Sequence, residues 1–327
     1  TMISIGGVAL GVTALTVVLS VMSGFESDLK AKILGANAHA TLRKYGQNDF
    51  PEYADVREKV LKVPGVTAAS PFLSSEVMIA SEASHQGAIV KGISLDTVAT
   101  VSDLPNNVQE GKLEHLAKPE EIPDASMGGA GSRGMERLLD ESEKADKKKE
   151  AATPDSAAIA KKTYPGVVIG NELARMLRAY VGDTVNIIHF SGTDLGPTGP
   201  QPKSRPFRVA AVVHSGMYEY DSKLAYMNLA DAQKFFGAMD AAGLPSVTGI
   251  EIRVDNVDAA KPIGRRVVAA LEGYPYRVID WSESNKNLFS ALQMEKLVMA
   301  VILSFIVLVA SFIIIATLIM LVLEKTH

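Results

Sequence analysis

Two α-helical membrane spans flanking a polar α+β domain form the architecture that the sequence predicts, and three observations carry it. The first is the run Leu297 to Leu323, LVMAVILSFIVLVASFIIIATLIMLVL, which holds no charged residue. At ~1.5 Å rise per residue, ~20 apolar residues already cross the ~30 Å hydrocarbon core of a bilayer, so this run spans it with some tilt. The competing reading is a buried core helix of a soluble protein, but such helices rarely run this far without a charge. The second observation is another charge-free run, Met2 to Met22. The third is the change of pattern between them. The order strand–helix–strand occurs at 38–72 and again at 247–280, which makes two halves of one α/β subdomain. A β-rich subdomain, 166–237, is then inserted between the halves.

The bulk composition conceals this division. The 327 residues are 47% hydrophobic and 21% charged with a formal net charge of −4, values that resemble an ordinary soluble protein. The absence of a basic excess gives no reason to expect nucleic-acid binding. The absence of cysteine removes disulfides and thiolate metal sites from consideration. The chain begins at Thr1 inside an apolar segment and stops at His327 just past a helix, so natural termini are expected beyond both ends.

Taken in order, Met2 to Met22 is a membrane helix, with Gly7 and Gly11 at the G-x-x-x-G spacing that allows close helix contact in lipid. A signal peptide competes with it, since Ala36-Asn37-Ala38 resembles a cleavage site. Against that, Glu26, Asp28, Lys30 and Lys32 intervene and no basic segment precedes. Gly24 to Leu34 reads as a polar helical stalk, with Phe25, Leu29 and Ile33 on one face. Ala38 to Arg43 is a strand, Pro51 to Lys62 an amphipathic helix ended by Pro64-Gly65, and Val66 to Phe72, Val77 to Ala80 and Ala88 to Ile93 are strands. Ser94 to His115 has no clear period beyond a turn and strand near Gly111-Lys112-Leu113. Residues 117–163 hold few large apolar side chains and a dense charge run, and read as a flexible insert.

Order resumes at Gly166. Val167 to Ile169 is a strand, Asn171 to Tyr180 a short helix and Thr184 to Phe190 a strand. Ser191 to Pro206, SGTDLGPTGPQPKSRP, carries four prolines and three glycines before the strand Phe207 to His214. Each proline fixes φ and removes a donor, so the hairpin tip is stiff and protruding. Tyr218 to Met227 contains a strand, Ala230 to Gly237 is a helix, Val247 to Val254 a strand, Val257 to Leu271 a helix and Tyr276 to Asp280 a strand. Asn285 to Glu295 is helical and leads into the second apolar run, whose far end is marked by Glu324 and Lys325.

No catalytic constellation emerges. Gly111-Lys112 lacks the upstream glycine of a phosphate loop, and no H-E-x-x-H or G-x-S-x-G occurs. The six histidines are scattered without a second ligand at helical spacing. Both apolar runs lack the ionisable residues that mark ion paths. The chain therefore reads as a non-catalytic part with two membrane helices and a large extracytoplasmic domain, binding no cofactor or metal itself.

The residues also carry a resemblance. Ile5 to Phe25, followed by Leu34-Gly35 and Ala38-His39-Ala40, resembles the first span of the lipoprotein-releasing ABC permeases of the LolC/LolE family. Met294-Glu295-Lys296 through Glu324-Lys325 resembles their second span. Val168 to Ala174, Val181-Gly182-Asp183 and Asn228 to Ala232 resemble their periplasmic domain, within the wider MacB and FtsX class. Two positions depart from the family, where Ser23 and Ile313 stand in place of asparagine.

The resemblance implies α-helical membrane spans flanking an α+β periplasmic domain, an α/β porter-like subdomain with an inserted β-rich subdomain. Residues 1–34 are then the first span and stalk, 35–116 the first part of the porter-like subdomain, and 117–163 the flexible insert. Residues 164–246 form the β-rich subdomain with a hook hairpin at 191–206, 247–281 complete the porter-like part, and 282–327 are the second stalk and span. Further spans are expected beyond the chain end. The hook implies docking of a LolA-like periplasmic carrier through Pro197, Gly199, Pro200, Pro202 and Arg205, a LolC-like feature. Met22, Phe25, Met294 and Met299 are guessed contacts for the acyl chains of a triacylated lipoprotein, and Glu324 and Lys325 begin an ATPase-coupling segment. Implied partners are a LolD-like ATPase dimer, which would hold the ATP and Mg, a second permease subunit (LolE-like or another copy of this chain) and membrane lipid of the bacterial inner membrane. An FtsX-like scaffold that regulates cell-wall hydrolases is the alternative. A MacB-like efflux permease is a further one, although MacB carries its ATPase domain in the same chain and none is visible here.

Overall fold

The structure is a computed structural model that describes residues 2–46, 50–124, 164–190, 195–196, 199–200, 202–240 and 242–325. It divides into two compact units, Thr1–Leu34 with Asp280–His327, and Gly35–Ile279.

The first unit is helical. Helix α1 (Met2–Ala36) carries the first apolar run and the polar stalk as one uninterrupted helix. No proline interrupts it, and Asp28 and Lys32 form an i,i+4 ion pair at 3.2 Å on the stalk. The second apolar run lies in a helix of 40 residues, Lys286–Lys325, about 60 Å long at the standard helical rise. Both helices are long and apolar enough to cross a membrane.

The second unit is built on a 10-stranded sheet. Its first part contains β1 (Ala40–Lys44), α2 (Tyr53–Leu61), β2 (Val66–Ala80) and β3 (His85–Ile93). The two strands expected at Val66 to Phe72 and Val77 to Ala80 are one continuous strand of 15 residues. The stretch without a clear period, Ser94 to His115, is α3 (Leu95–Val101), a 3-10 turn, β4 (Val108–Gly111) and the start of a second 3-10 turn. Such short turns leave no periodic trace. The ordered chain also extends into the region expected to be a flexible insert. Ile122 is buried and Arg208 Nη2 donates to Pro123 O at 2.8 Å, so 117–124 belong to the folded unit. The remainder of that expected insert, 125–163, lies outside the described residues.

The later part contains β5 (Gly166–Gly170), α4 (Asn171–Leu177), β6 (Thr184–His189), β7 (Leu195–Gly196), β8 (Gly199–Pro200) and β9 (Lys203–Val213). There follow α5 (Tyr218–Lys223), β10 (Leu224–Asn228), α6 (Leu229–Phe236), β11 (Gly249–Val254), α7 (Ala260–Ala270) and β12 (Tyr276–Asp280). The segment Tyr218 to Met227 is thus a helical turn before its strand. Buried Asp221 accepts from Ser215 N and Ser215 Oγ, each at 2.8 Å, and this side chain folds the chain back before β10 starts.

The two strand–helix–strand halves interleave. The order β12-β1-β11-β2 alternates strands from the first half with strands from the second, a split βαβ arrangement. Helix α2 buries Val56 and Val60, and α7 buries Ile263 and Val267. Gly264 lets α7 approach the sheet: a Cβ there would stand 2.7 Å from Val278 Cγ1 of β12.

Beyond β2 the sheet continues through β3, β10, β5 and β9, and β6 pairs with both β9 and β2. That last pairing, Met78↔Ile188 through Ala80↔Asn186, closes a six-stranded barrel. Val167, Ile169, Ala225 and Met227 are fully buried on one face of β5 and β10. The alternate residues Val168 and Tyr226 pack on the other face with Val98, Leu104, Leu116, Ile122 and Val213. The division of 35–116 from 164–246 does not follow this sheet, because β2 and β3 are two of the barrel strands. Strand β2 belongs to both parts: Val66 to Phe72 pair with β11, and Phe72 to Ala80 pair with β3.

His39, just before β1, is buried with Nδ1 3.1 Å from Val254 O and 3.2 Å from Val254 N. Burial holds its imidazole below the usual histidine range, opposed by the Val254 carbonyl, with Arg253 adding to the depression and Asp103 opposing it. The folded state therefore favours the neutral ring, while the unfolded chain takes up a proton near pH ~6.5. The stability tied to this histidine is complete above that value and is lost as pH falls through it toward the folded value. Melting curves from pH 8 to pH 5 are expected to show a smaller acid decline for His39→Gln than for the parent, and an unchanged decline would refute this assignment.

Candidate functional site

Two places combine exposure with defined structure, one in each unit. In the helical unit, α8 (Trp281–Ser284) precedes the long helix, here α9 (Lys286–Lys325). Asp280 Oδ1 accepts from Glu283 N at 2.8 Å to cap α8, and Asn285 Nδ2 donates to Trp281 O at 2.8 Å at the break. Five hydroxyls within the apolar runs, those of Thr13, Thr16, Ser304, Ser311 and Thr317, bond to carbonyls of their own helix. Each reaches the carbonyl four residues back at 2.7 to 3.0 Å, which meets the requirement of a span that water cannot solvate. Large apolar side chains from Leu297 to Leu323 are mostly exposed. A surface of that size stays soluble only in lipid or against other protein.

The helices touch at Gly11, where an added Cβ would stand 3.9 Å from Ile306 Cγ2. Toward the polar ends, Lys296 Nζ pairs with Glu26 Oε2, and Lys30 Nζ lies 5.2 Å from the centre of the Trp281 ring. Met22 and Phe25 lie within about one helical turn of Glu26, and Met299 and Met294 within about one turn of Lys296. The structure thus sets the four expected acyl contacts at one level of the unit, with Phe25 53% and Met294 68% exposed. Glu324 and Lys325 are the last two residues of α9.

In the barrel unit, β6 and β9 form a hairpin paired from Thr184↔Arg208 to His189↔Lys203. Past it, β7 and β8 pair as a two-stranded ribbon, Leu195↔Pro200 and Gly196↔Gly199. Of the five expected docking residues, Gly199 and Pro200 form β8, Pro202 is exposed just before β9, Arg205 is exposed near the start of β9, and Pro197 lies outside the described residues. Phe190 at the hairpin's exit is 65% exposed.

The hairpin base is held by rings that sequence reading missed. His189 meets Phe236 edge-on at 4.9 Å, Phe235 meets Phe207 at 5.4 Å, and Ser75 Oγ lies 3.3 Å from His189 Nδ1. Lys203 Nζ lies 5.8 Å from the Phe235 ring and donates to Lys234 O at 3.4 Å. Residues so distant in sequence leave no local signal; only the Phe235-Phe236 pair hints at one. Asp231 on α6 has its carboxyl pushed up by burial, against the pull of Lys234 and Arg205. Among the described residues, no group of three histidines or carboxylates is placed to hold a metal ion.

A family model described as the MacB-like periplasmic core domain matches residues 1–122. The chain is 31% identical over 324 residues to the lipoprotein-releasing system transmembrane protein LolC of Xylella fastidiosa, covering 99% of this chain and 65% of that protein. It is 28% identical to LolC of Neisseria meningitidis serogroup B, over 99% of this chain and 66% of that one. LolE of Haemophilus influenzae is 24% identical, over 98% of this chain and 65% of its own length. The chain thus spans about two thirds of the length of these relatives. It is similar along nearly all of its residues to LolC and LolE proteins, and its match to the MacB-like periplasmic core domain begins in its first helix.

Proposed function

We propose that this chain is the transmembrane permease subunit of an ABC transporter that extracts acylated lipoproteins from the bacterial inner membrane and passes them to a periplasmic carrier. Similarity to LolC and LolE proteins over nearly the whole chain carries this reading. In it the chain performs no catalysis. A separate LolD-like ATPase dimer holds ATP and Mg and grips the segment that starts at Glu324 and Lys325. A second permease subunit, LolE-like or another copy, completes the pathway, and further spans make the protein multi-pass.

The apolar surface of the two spans suits acyl chains, at about 0.8 kcal/mol for each buried CH₂. Met22, Phe25, Met294 and Met299 would meet those chains where they leave the membrane. The β6–β9 hairpin would receive the carrier through Pro197, Gly199, Pro200, Pro202 and Arg205. Its rigid base supports that role, because a fixed protrusion loses little conformational freedom on docking.

A photoreactive residue at Pro197 or Gly199, in cells that also make the ATPase and a LolA-like carrier, is expected to crosslink to the carrier. Absence of that crosslink together with capture of a cell-wall hydrolase activator would replace this reading with the scaffold one.

A further inference from the structure

The contacts within the helical unit carry an inference about how its helices move, and it rests on the transport reading above. Helices α1 and α9 run antiparallel, and α1 meets segment 281–325 at three levels, two on α9 and one on α8. At the apolar level, Gly11 leaves room for α1 to lie against Ile306. At the polar boundary, Glu26 and Lys296 form an ion pair, with each side chain less than half exposed. Above it, Lys30 stands over the Trp281 ring at 5.2 Å.

Neither polar contact is an accident of loose side chains. Glu26 and Lys30 are four residues apart, so they share one face of α1. The Trp281 ring is fixed edge-on against Phe289 at 5.2 Å with 80° between the planes, and α8 is capped at its start by Asp280 and tied at its end by Asn285. A cation held over an indole and an ion pair at the edge of the bilayer are both stronger than in open water, because fewer waters compete. Two helices joined at only one level can pivot apart; joined at three, they keep their register.

We infer that Glu26, Lys30, Trp281 and Lys296 are positioning residues that bind α1 and segment 281–325 into a single two-helix arm, so that the two spans travel together during transport. The rival arrangement is a gate in which the same contacts open to admit the lipoprotein. The two differ in what a covalent tie between the helices does.

The chain has no cysteine, so a pair can be introduced without background. In the full complex with its ATPase, Glu26→Cys with Lys296→Cys is joined by a short, reducible bis-methanethiosulfonate linker. The arm predicts that the linked complex hydrolyses ATP and releases lipoprotein at least as well as the reduced one. Loss of release on linking, restored by dithiothreitol, would overturn it. Charge variants give a second readout: Glu26→Lys is expected to lower release roughly tenfold with ATP hydrolysis retained, as expected when only the coupled step is impaired. The exchange Glu26→Lys with Lys296→Glu is expected to restore it. An exchange variant no better than Glu26→Lys, or a Glu26→Lys that releases normally, would also count against the arm. Failure of the transport reading is seen separately, as a parent complex that releases no lipoprotein. The arm is then read from spin labels on the two cysteines, whose separation stays constant between nucleotide-free and ATP-bound states if the arm is one body and changes if it is a gate.

Discussion

Gly170→Ala is expected to destabilise the barrel unit by about 3 kcal/mol, because the new methyl group meets backbone rather than a movable side chain. Gly170 ends β5 with φ −66 and ψ 151, a conformation alanine adopts freely, so backbone preference is not at issue. The obstacle is space. A Cβ at this position falls against the Asp221 carbonyl oxygen, with the Asp221 carbonyl carbon at 2.7 Å and Cα at 2.8 Å. Asp221 is 3% exposed and cannot retreat, since it accepts from Ser215 at two atoms and lies 2.9 Å from His214 Nδ1. Strand β5 must shift instead, between its barrel neighbours β10 and β9. For a unit of this size, that cost lowers the melting temperature by about 6–12 °C. Gly87→Ala on β3 is the control, because nothing lies within 4 Å of its added Cβ. Equal melting temperatures for the two variants would mean that the close approach of α5 to β5 is wrong.

Lys91→Met is expected to cost about 3–5 kcal/mol, the penalty for leaving one partner of a buried ion pair uncompensated. Lys91 Nζ lies 2.5 Å from Glu251 Oε1, and both side chains are largely buried. The pair ties β3 of the barrel to β11 of the split βαβ sheet, over the strand β2 that the two parts share. The Phe72 ring of β2 lies beneath the ammonium at 5.4 Å, and Arg43 of β1 covers the same ring at 5.5 Å. Neighbouring Ser70 binds Thr97 of α3 at 2.7 Å. Replacing both partners, Lys91→Met with Glu251→Leu, is expected to recover most of the loss, since the desolvation cost of both charges disappears together. Thermal unfolding of the parent, Lys91→Met, Glu251→Leu and the double variant in one detergent measures the coupling. A double variant as weak as Lys91→Met alone would mean that the pair's surroundings need the charges for another reason.

The sequence made the helical unit legible because a span is a one-dimensional signal: Leu297 to Leu323 needs only length and the absence of charge. The split βαβ halves were legible for a similar reason, since α2 and α7 each have an apolar face and end in proline or glycine nearby. Closure of the barrel was not legible. It depends on Met78 meeting Ile188, a pairing more than one hundred residues long that no local pattern records. The helical turn α5 was hidden because its cause is one buried carboxylate, Asp221, reaching back to Ser215. The hairpin announced itself through Pro197, Gly199, Pro200 and Pro202, whereas the anchor beneath it joins Ser75, His189, Phe207, Phe235 and Phe236 from four separate elements. The ties across the helical unit left a partial trace: Glu26 and Lys30 stand just outside one apolar run and Glu295 and Lys296 just outside the other, but charge alone does not say which meets which.

The central claim, that this chain serves lipoprotein release, is tested most directly by reconstitution. The complex of this protein with its ATPase and partner permease, in proteoliposomes loaded with a triacylated lipoprotein, is mixed with a LolA-like carrier. The account predicts that lipoprotein appears in the soluble fraction bound to the carrier, and only with hydrolysable ATP. ATP hydrolysis that leaves every lipoprotein in the membrane, while a cell-wall hydrolase activator binds the complex, would contradict it.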